Sequence, residues 1–186
     1  VTLVGAVAAG SAARGATISG AVVKGVQLAG AQVDGLHLKD CVVHGADFAN
    51  TRLRDAMLER CVLTDCRMTG ADLSNSRLRD VRFENCMLDM TNFAEARIER
   101  TVFGGSALRE AILEQVQLRD VAIDCCDLTG ASFGQARCER VDVTGTRLTG
   151  VRALTDLKGC RIALPDVVDG AVQLAAALGI AVLEEE

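Results

Sequence analysis

The chain has no tryptophan and no tyrosine, and among its 186 residues there are only five phenylalanines, two histidines and a single proline. The 49% of hydrophobic residues is therefore carried mainly by leucine, valine and alanine, which suits a narrow, regular core rather than a broad one built around large rings. Residue types for catalysis are equally sparse. His37 and His44 are seven residues apart and fall, in the pattern set out below, at outward positions on different faces, with no serine or cysteine nucleophile expected beside either. The cysteines include no C-x-x-C, and glycine recurs at a spacing of five rather than in a phosphate-binding loop. Carboxylates are scattered, with no pocket to hold a catalytic pair. The expectation is a non-enzyme with no cofactor, no metal and no small-molecule substrate.

A targeting segment is also missing from the pattern. The apolar start VTLVGAVAAGSAARG carries Gly5, Gly10 and Gly15 at fixed intervals and Arg14 inside it, unlike a signal-peptide core or a spanning helix. A cytoplasmic protein without a membrane partner is expected. The formal net charge of −5 argues against free nucleic acid as a direct partner.

What the chain does have is a period. GADLSNSRLRD, residues 70–80, places Leu73 and Leu78 five apart, a spacing that fits neither a helix nor a strand. Steps of five run unbroken from Ile18 through Leu38, Leu58, Phe83, Phe103 and Ile123 to Leu148. Two positions earlier in each unit stands a small residue, such as Ala21, Ala46, Thr51, Cys61, Ala71 or Ser76. Both positions point inward, and the remaining three carry nearly all the charge. A fixed internal repeat signals stacked units that bury a core only against their neighbours. The fifth position is often glycine, which permits a tight corner.

The eight cysteines obey the same register. Cys41, Cys61, Cys66, Cys86 and Cys126 occupy the small inward position and Cys138 the large one, so core packing is the expected role for them.

Ala46-Asp47-Phe48-Ala49-Asn50 and Ala71-Asp72-Leu73-Ser74-Asn75 resemble the pentapeptide-repeat family, whose unit is a small residue, Asp or Asn, Leu or Phe, a polar residue and Gly. The resemblance implies an all-β fold: a right-handed quadrilateral parallel β-helix over residues 1–150, about seven and a half coils. Four units make one coil, so residues twenty apart stack in columns. Strands about 4.8 Å apart give a rod of roughly 35 Å.

Sorted into those columns, one face reads Lys39, Glu59, Arg79, Glu99, Arg119, Glu139 and, beside it, Asp40, Arg60, Asp80, Arg100, Asp120, Arg140. The alternating signs predict an ion-pair ladder that favours the native register. Arg77, Arg97 and Arg137 add positive charge to this face, but a phosphate-binding strip would not pair nearly every base with an acid. The other three faces carry 8 basic and 13 acidic residues over residues 1–150.

After residue 150 the period fails. Pro165 suits a helix start, Val167, Ala171, Leu174 and Leu178 recur at helical spacing, and Gly179 suits the stop. An apolar strand, Ile180 to Leu183, is expected next. Residues 151–186 thus read as a final partial coil, a capping or dimerisation helix and a strand, closing an end whose strand edges would otherwise pair with other chains. The segment DLKGCRIALPDVVDGAVQLAAALGIAVLEEE looks like the end of the Qnr, MfpA and AlbG branch of the family. That resemblance implies end-to-end homodimerisation, here through Val167, Ala171, Leu174, Leu178, Ile180 and Val182. It also implies a rod that mimics DNA and binds DNA gyrase or topoisomerase IV, protecting it from quinolones or gyrase-directed antibiotics. Asp124, Asp127 and Asp142, on the less basic faces near the dimer centre, are the candidate partner contacts. A non-catalytic interaction scaffold with a different partner is the alternative.

Overall fold

The structure, a computed structural model, describes residues 2–183; Val1 and the terminal Glu184, Glu185 and Glu186 lie outside the described residues. Its backbone turns at every fifth residue. Each such residue from Gly5 to Gly150, glycine or not, has a positive φ, from 47° at Arg100 to 71° at Gly130. That left-handed φ suits the third position of a tight turn. On two of the four faces the turn is closed by a backbone hydrogen bond, as from Ala56 N–H to Leu53 O (3.2 Å) and from Thr91 N–H to Leu88 O (3.1 Å).

Successive coils pair in parallel at an offset of twenty. Met57–Thr64 lies on Arg77–Glu84 with Leu58 opposite Leu78 and Leu63 opposite Phe83. Gln117–Asp124 and Arg137–Thr144 repeat the arrangement. These eight-residue strands cover two adjacent faces and belong to one twelve-stranded sheet. We call these faces first (central residues Leu38, Leu58, Leu78) and second (Val43, Leu63, Phe83). The third face (Phe48, Met68, Leu88) is held by single bridges, as in the run Asp47, Arg67, Met87, Ala107. The fourth (Leu53, Leu73, Phe93) is held mostly the same way, through Arg52, Asp72, Asn92 and Ile112. The expected four-faced parallel solenoid is what forms.

The core follows from the two inward positions. Phe83, Phe93, Phe103, Leu73 and Leu78 are fully buried, and the rings of Phe83 and Phe103 stack at 5.1 Å. Small inward residues bond the coil below: Thr51 Oγ1 donates to Leu28 O (2.7 Å), Ser76 Oγ to Leu53 O (3.2 Å) and Cys61 Sγ to Leu38 O (3.4 Å). The first coil has a neighbour on one side only, and its central inward positions include Ala8 and Ala13. Most of its residues are accordingly exposed, and an apolar cavity of about 230 Å³ opens among Leu3, Ala8, Ile18 and Leu28.

Arg152, paired with Ser132, is the last regular rung. A 3₁₀ turn, Leu154–Leu157, follows, and then the strand Cys160–Ile162. This strand pairs with the last full coil at an offset of nineteen, Cys160 opposite Val141. Gly159, with φ 95°, makes the slip possible: its Cα packs so close to the Cys138 carbonyl that a Cβ would stand 2.8 Å from that oxygen.

Candidate functional site

The aspartates of the repeat are largely committed to the fold. Asp47, Asp72 and Asp127, with Asn92 in the same role, each accept a hydrogen bond from the backbone N–H two residues on, at 2.9–3.1 Å. The side chain thereby satisfies a donor at the turn. Nine of the twelve aspartates from Asp34 to Asp142 also hold an arginine from a neighbouring coil. Asp89 is almost buried and takes two hydrogen bonds from the Arg109 guanidinium, at 3.1 and 2.6 Å.

The three candidate contact residues differ in this respect. Asp127 accepts from Thr129 N–H and, in an ion pair of 3.2 Å, faces Arg147. Burial raises its pKa, but the Thr129 hydrogen bonds and the charge of Arg147 outweigh it and hold the carboxyl below the usual range. Asp142 takes both forks of Arg161 at 2.5 and 2.6 Å. Asp124 is exposed, accepts from Thr144 Oγ1 at 2.8 Å, and has no basic partner among the described residues. Asp124 and Asp142 share the second face on successive coils, and Asp127 follows on the third, so all three sit toward the C-terminal end of the rod.

On the first face the predicted ladder resolves into pairs. Arg60 bonds Asp40, Arg100 bonds Asp80 and Arg140 bonds Asp120, each one coil apart. In the neighbouring column only Arg119 and Glu139 meet, at 3.5 Å. His44 faces Asp65 at 3.5 Å. His37, expected on the surface, is half-buried in the column between Thr17 and Met57, and its Nε2 has no hydrogen-bond partner among the described residues.

The C-terminal cap departs from the expected single helix. Two short helices form, α1 (Leu164–Asp169) and α2 (Ala171–Ala177), because Gly170 ends the first and starts the second. Residues 180–183 form no strand: a strand needs a neighbour, and this segment pairs with none among the described residues. Of the candidate interface residues, Leu174 packs against the core and Val167 is half-buried, whereas Ala171, Leu178, Ile180 and Val182 are exposed. Leu164, Val168 and Val172 are exposed as well; the break at Gly170, a residue of poor helix propensity inside the periodic run, was the signal that could have found them.

All eight cysteines are free. Burial pushes Cys61 and Cys126 up to about 11. Among the described residues no group of three or more His, Cys, Asp or Glu could hold a metal ion, and no helix is long and apolar enough to cross a membrane.

A family model described as a pentapeptide repeat region matches residues 36–113 and 77–154. The chain belongs to the pentapeptide-repeat family. No curated protein sequence matches it. Among solved structures, this pentapeptide-repeat chain is similar to a trypsin-treated form of QnrB1, a plasmid-mediated fluoroquinolone resistance protein. The TM-score is 0.53 and the identity 19%, over 98% of this chain and 100% of that one. HetL, a pentapeptide repeat protein involved in heterocyst differentiation regulation from the cyanobacterium Nostoc, matches with a TM-score of 0.23 and 18% identity, over 87% of this chain and 89% of that one. At 19% identity the likeness to QnrB1 speaks for the fold alone.

Proposed function

We propose that this chain is a non-catalytic, cytoplasmic protein that dimerises through its C-terminal cap and binds a type IIA topoisomerase, DNA gyrase or topoisomerase IV, in place of DNA. The observation that carries the reading is the cap: a solenoid with the fold of QnrB1 ends in two short helices and a tail that expose Leu164, Val168, Val172, Leu178, Ile180, Val182 and Leu183. So many large apolar residues gathered at one end mark an interaction site, and a two-fold contact would cover the same patch on both copies. Two rods of about 35 Å end to end make a body of roughly 70 Å, long enough to lie along a surface built for duplex DNA. In such a dimer Asp124, Asp127 and Asp142 would lie near the centre, and Asp124, with no basic partner among the described residues, would contribute most to contact with a basic surface.

The test is a gyrase supercoiling assay with and without a fluoroquinolone. Restored supercoiling in the presence of drug, or reduced drug-stabilised cleavage, supports the proposal, and changing the three aspartates to Asn should weaken the effect while the fold survives. If the native protein changes neither reaction at low salt, the topoisomerase reading is wrong. The second reading, a scaffold for another partner, is favoured by the pairing of Asp127 and Asp142 with Arg147 and Arg161, which leaves less unbalanced negative charge than a DNA mimic would present.

A further inference from the structure

We propose that the edge where the fourth face meets the first, along Arg77, Arg97 and Arg137, is a binding site for an extended acidic peptide segment. Among the described residues, twelve of the seventeen arginines hold an ion pair. Three of the five that do not stand in this one column. Arg97 lies directly on Arg77, and Gln117 separates Arg97 from Arg137. Like charges on adjacent strands about 4.8 Å apart repel and destabilise the sheet. Elsewhere the chain sets an acid against nearly every base on the next coil, so the exception is a cost that a ligand would offset.

The column forms the floor of an open groove of about 550 Å³. Its wall adds the side-chain amides of Asn75, Gln115 and Gln135, and Gln117 lies in the floor itself. Guanidinium forks bind carboxylates two bonds at a time, and the amides can donate to and accept from a peptide backbone. From Arg77 to Arg137 is three rungs, about 14 Å, the length of roughly four residues of extended chain.

Charge around the groove selects a narrow occupant. Asp55 and Glu95 stand in the same wall, and Glu59, Glu99 and Glu139 border the three arginines on the other side, yet none is within ion-pair distance of Arg77, Arg97 or Arg137. They would repel the second strand of a duplex or a wide phosphodiester backbone. Between Arg97 and Arg137 the fourth-face wall carries only the amides of Gln115 and Gln135, and Glu139 on the opposite side is engaged by Arg119 and Arg140, so the strongest binding is expected there.

Fluorescence anisotropy with fluorescein-labelled hexaglutamate at low salt tests the site. Saturable binding is expected, weakened at least tenfold by the triple change Arg77→Gln, Arg97→Gln, Arg137→Gln and at least threefold by Arg97→Gln alone. Arg152→Gln, an unpaired arginine outside the groove, should change it less than twofold. Labelled decathymidylate should bind at least fivefold more weakly than hexaglutamate. Absence of hexaglutamate binding, an equal loss with Arg152→Gln, or tighter binding of decathymidylate would overturn the proposal. Should the triple variant fail to fold, Arg97→Gln alone decides. No topoisomerase is present in this assay, so its failure and that of the proposed function are independent.

Discussion

Arg60 donates from Nε and Nη2 to the two carboxylate oxygens of Asp40, one coil below, at 2.6 and 2.8 Å, and forms no ion pair with Asp80, one coil above. A guanidinium engaged at both forks has spent its planar donors on one partner. The twelve-residue alternation therefore forms separate clasps between coils rather than a continuous ladder, and Arg100 with Asp80 and Arg140 with Asp120 repeat the same geometry.

The clasps predict an acid sensitivity. Hydrogen bonds from Arg60, Arg100 and Arg140 hold Asp40, Asp80 and Asp120 below the usual carboxylate range. Because the folded values are lowered, their contribution is fully present above the unfolded value of about 3.9 and is lost as pH falls through the folded ones. Denaturant midpoints should fall steeply below about pH 4. The Asp80→Asn variant should show a shallower fall, and high salt should flatten both profiles. An identical profile for Asp80→Asn would show that its clasp contributes nothing.

A second prediction concerns corner strain. Met90 has φ 56° and is about half exposed, at 52%, so it gains little packing for a conformation that costs an ordinary side chain about 1–2 kcal/mol. Met90→Gly removes that strain but raises the conformational entropy of the unfolded chain, which offsets part of the gain. A net gain of about 0.5–1 kcal/mol follows, seen as a melting temperature about 1–4 °C higher. A lower melting temperature would show that the Met90 side chain packs usefully. Gly159→Ala should do the reverse, since its Cβ would meet the Cys138 carbonyl oxygen at 2.8 Å.

Much of the fold was legible because each inward position repeats. Leu73 and Leu78 set the register, and Ala71 and Ser76 show which second position also points in. What escaped the sequence is what periodicity cannot distinguish. Sign alternation from Asp40 to Arg140 is symmetric up and down the column, so it does not reveal which neighbour an arginine chooses. Helical spacing runs straight across Gly170, hiding the break between α1 and α2. The apolar run from Ile180 to Leu183 has strand composition, but strand formation depends on a partner outside the segment. Asp127 looked free in the sequence, yet the Thr129 turn and Arg147 both engage it.

Thiol chemistry offers a third check. Burial raises Cys61 and Cys126 to about 11, and the thiolate is the reactive form. Cys125 is exposed, although its hydrogen bond to Asp124 raises its pKa as well. Alkylation of the native protein at neutral pH should therefore label Cys125 first and slowly, with all eight cysteines reacting only in denaturant. Rapid labelling of Cys61 or Cys126 in the native state would mean that the coils open readily around them.

The cap supplies the last prediction, which separates folding from assembly. Leu174 packs against the core, whereas Leu178 is 70% exposed on the same short helix end. Replacing Leu174 by Arg would force a charge into the seat of the cap and should lower the melting temperature whatever the oligomeric state. Leu178→Arg loses little packing within one chain. If two copies meet through this patch, it places an uncompensated charge on each side of a two-fold contact. Light scattering at micromolar concentration should then report a dimer for the native protein and a monomer for Leu178→Arg, with the far-ultraviolet circular dichroism of the two alike. A native monomer, or a Leu178→Arg variant that stays dimeric, would rule out the cap as the dimer contact and leave the exposed apolar residues to some other partner.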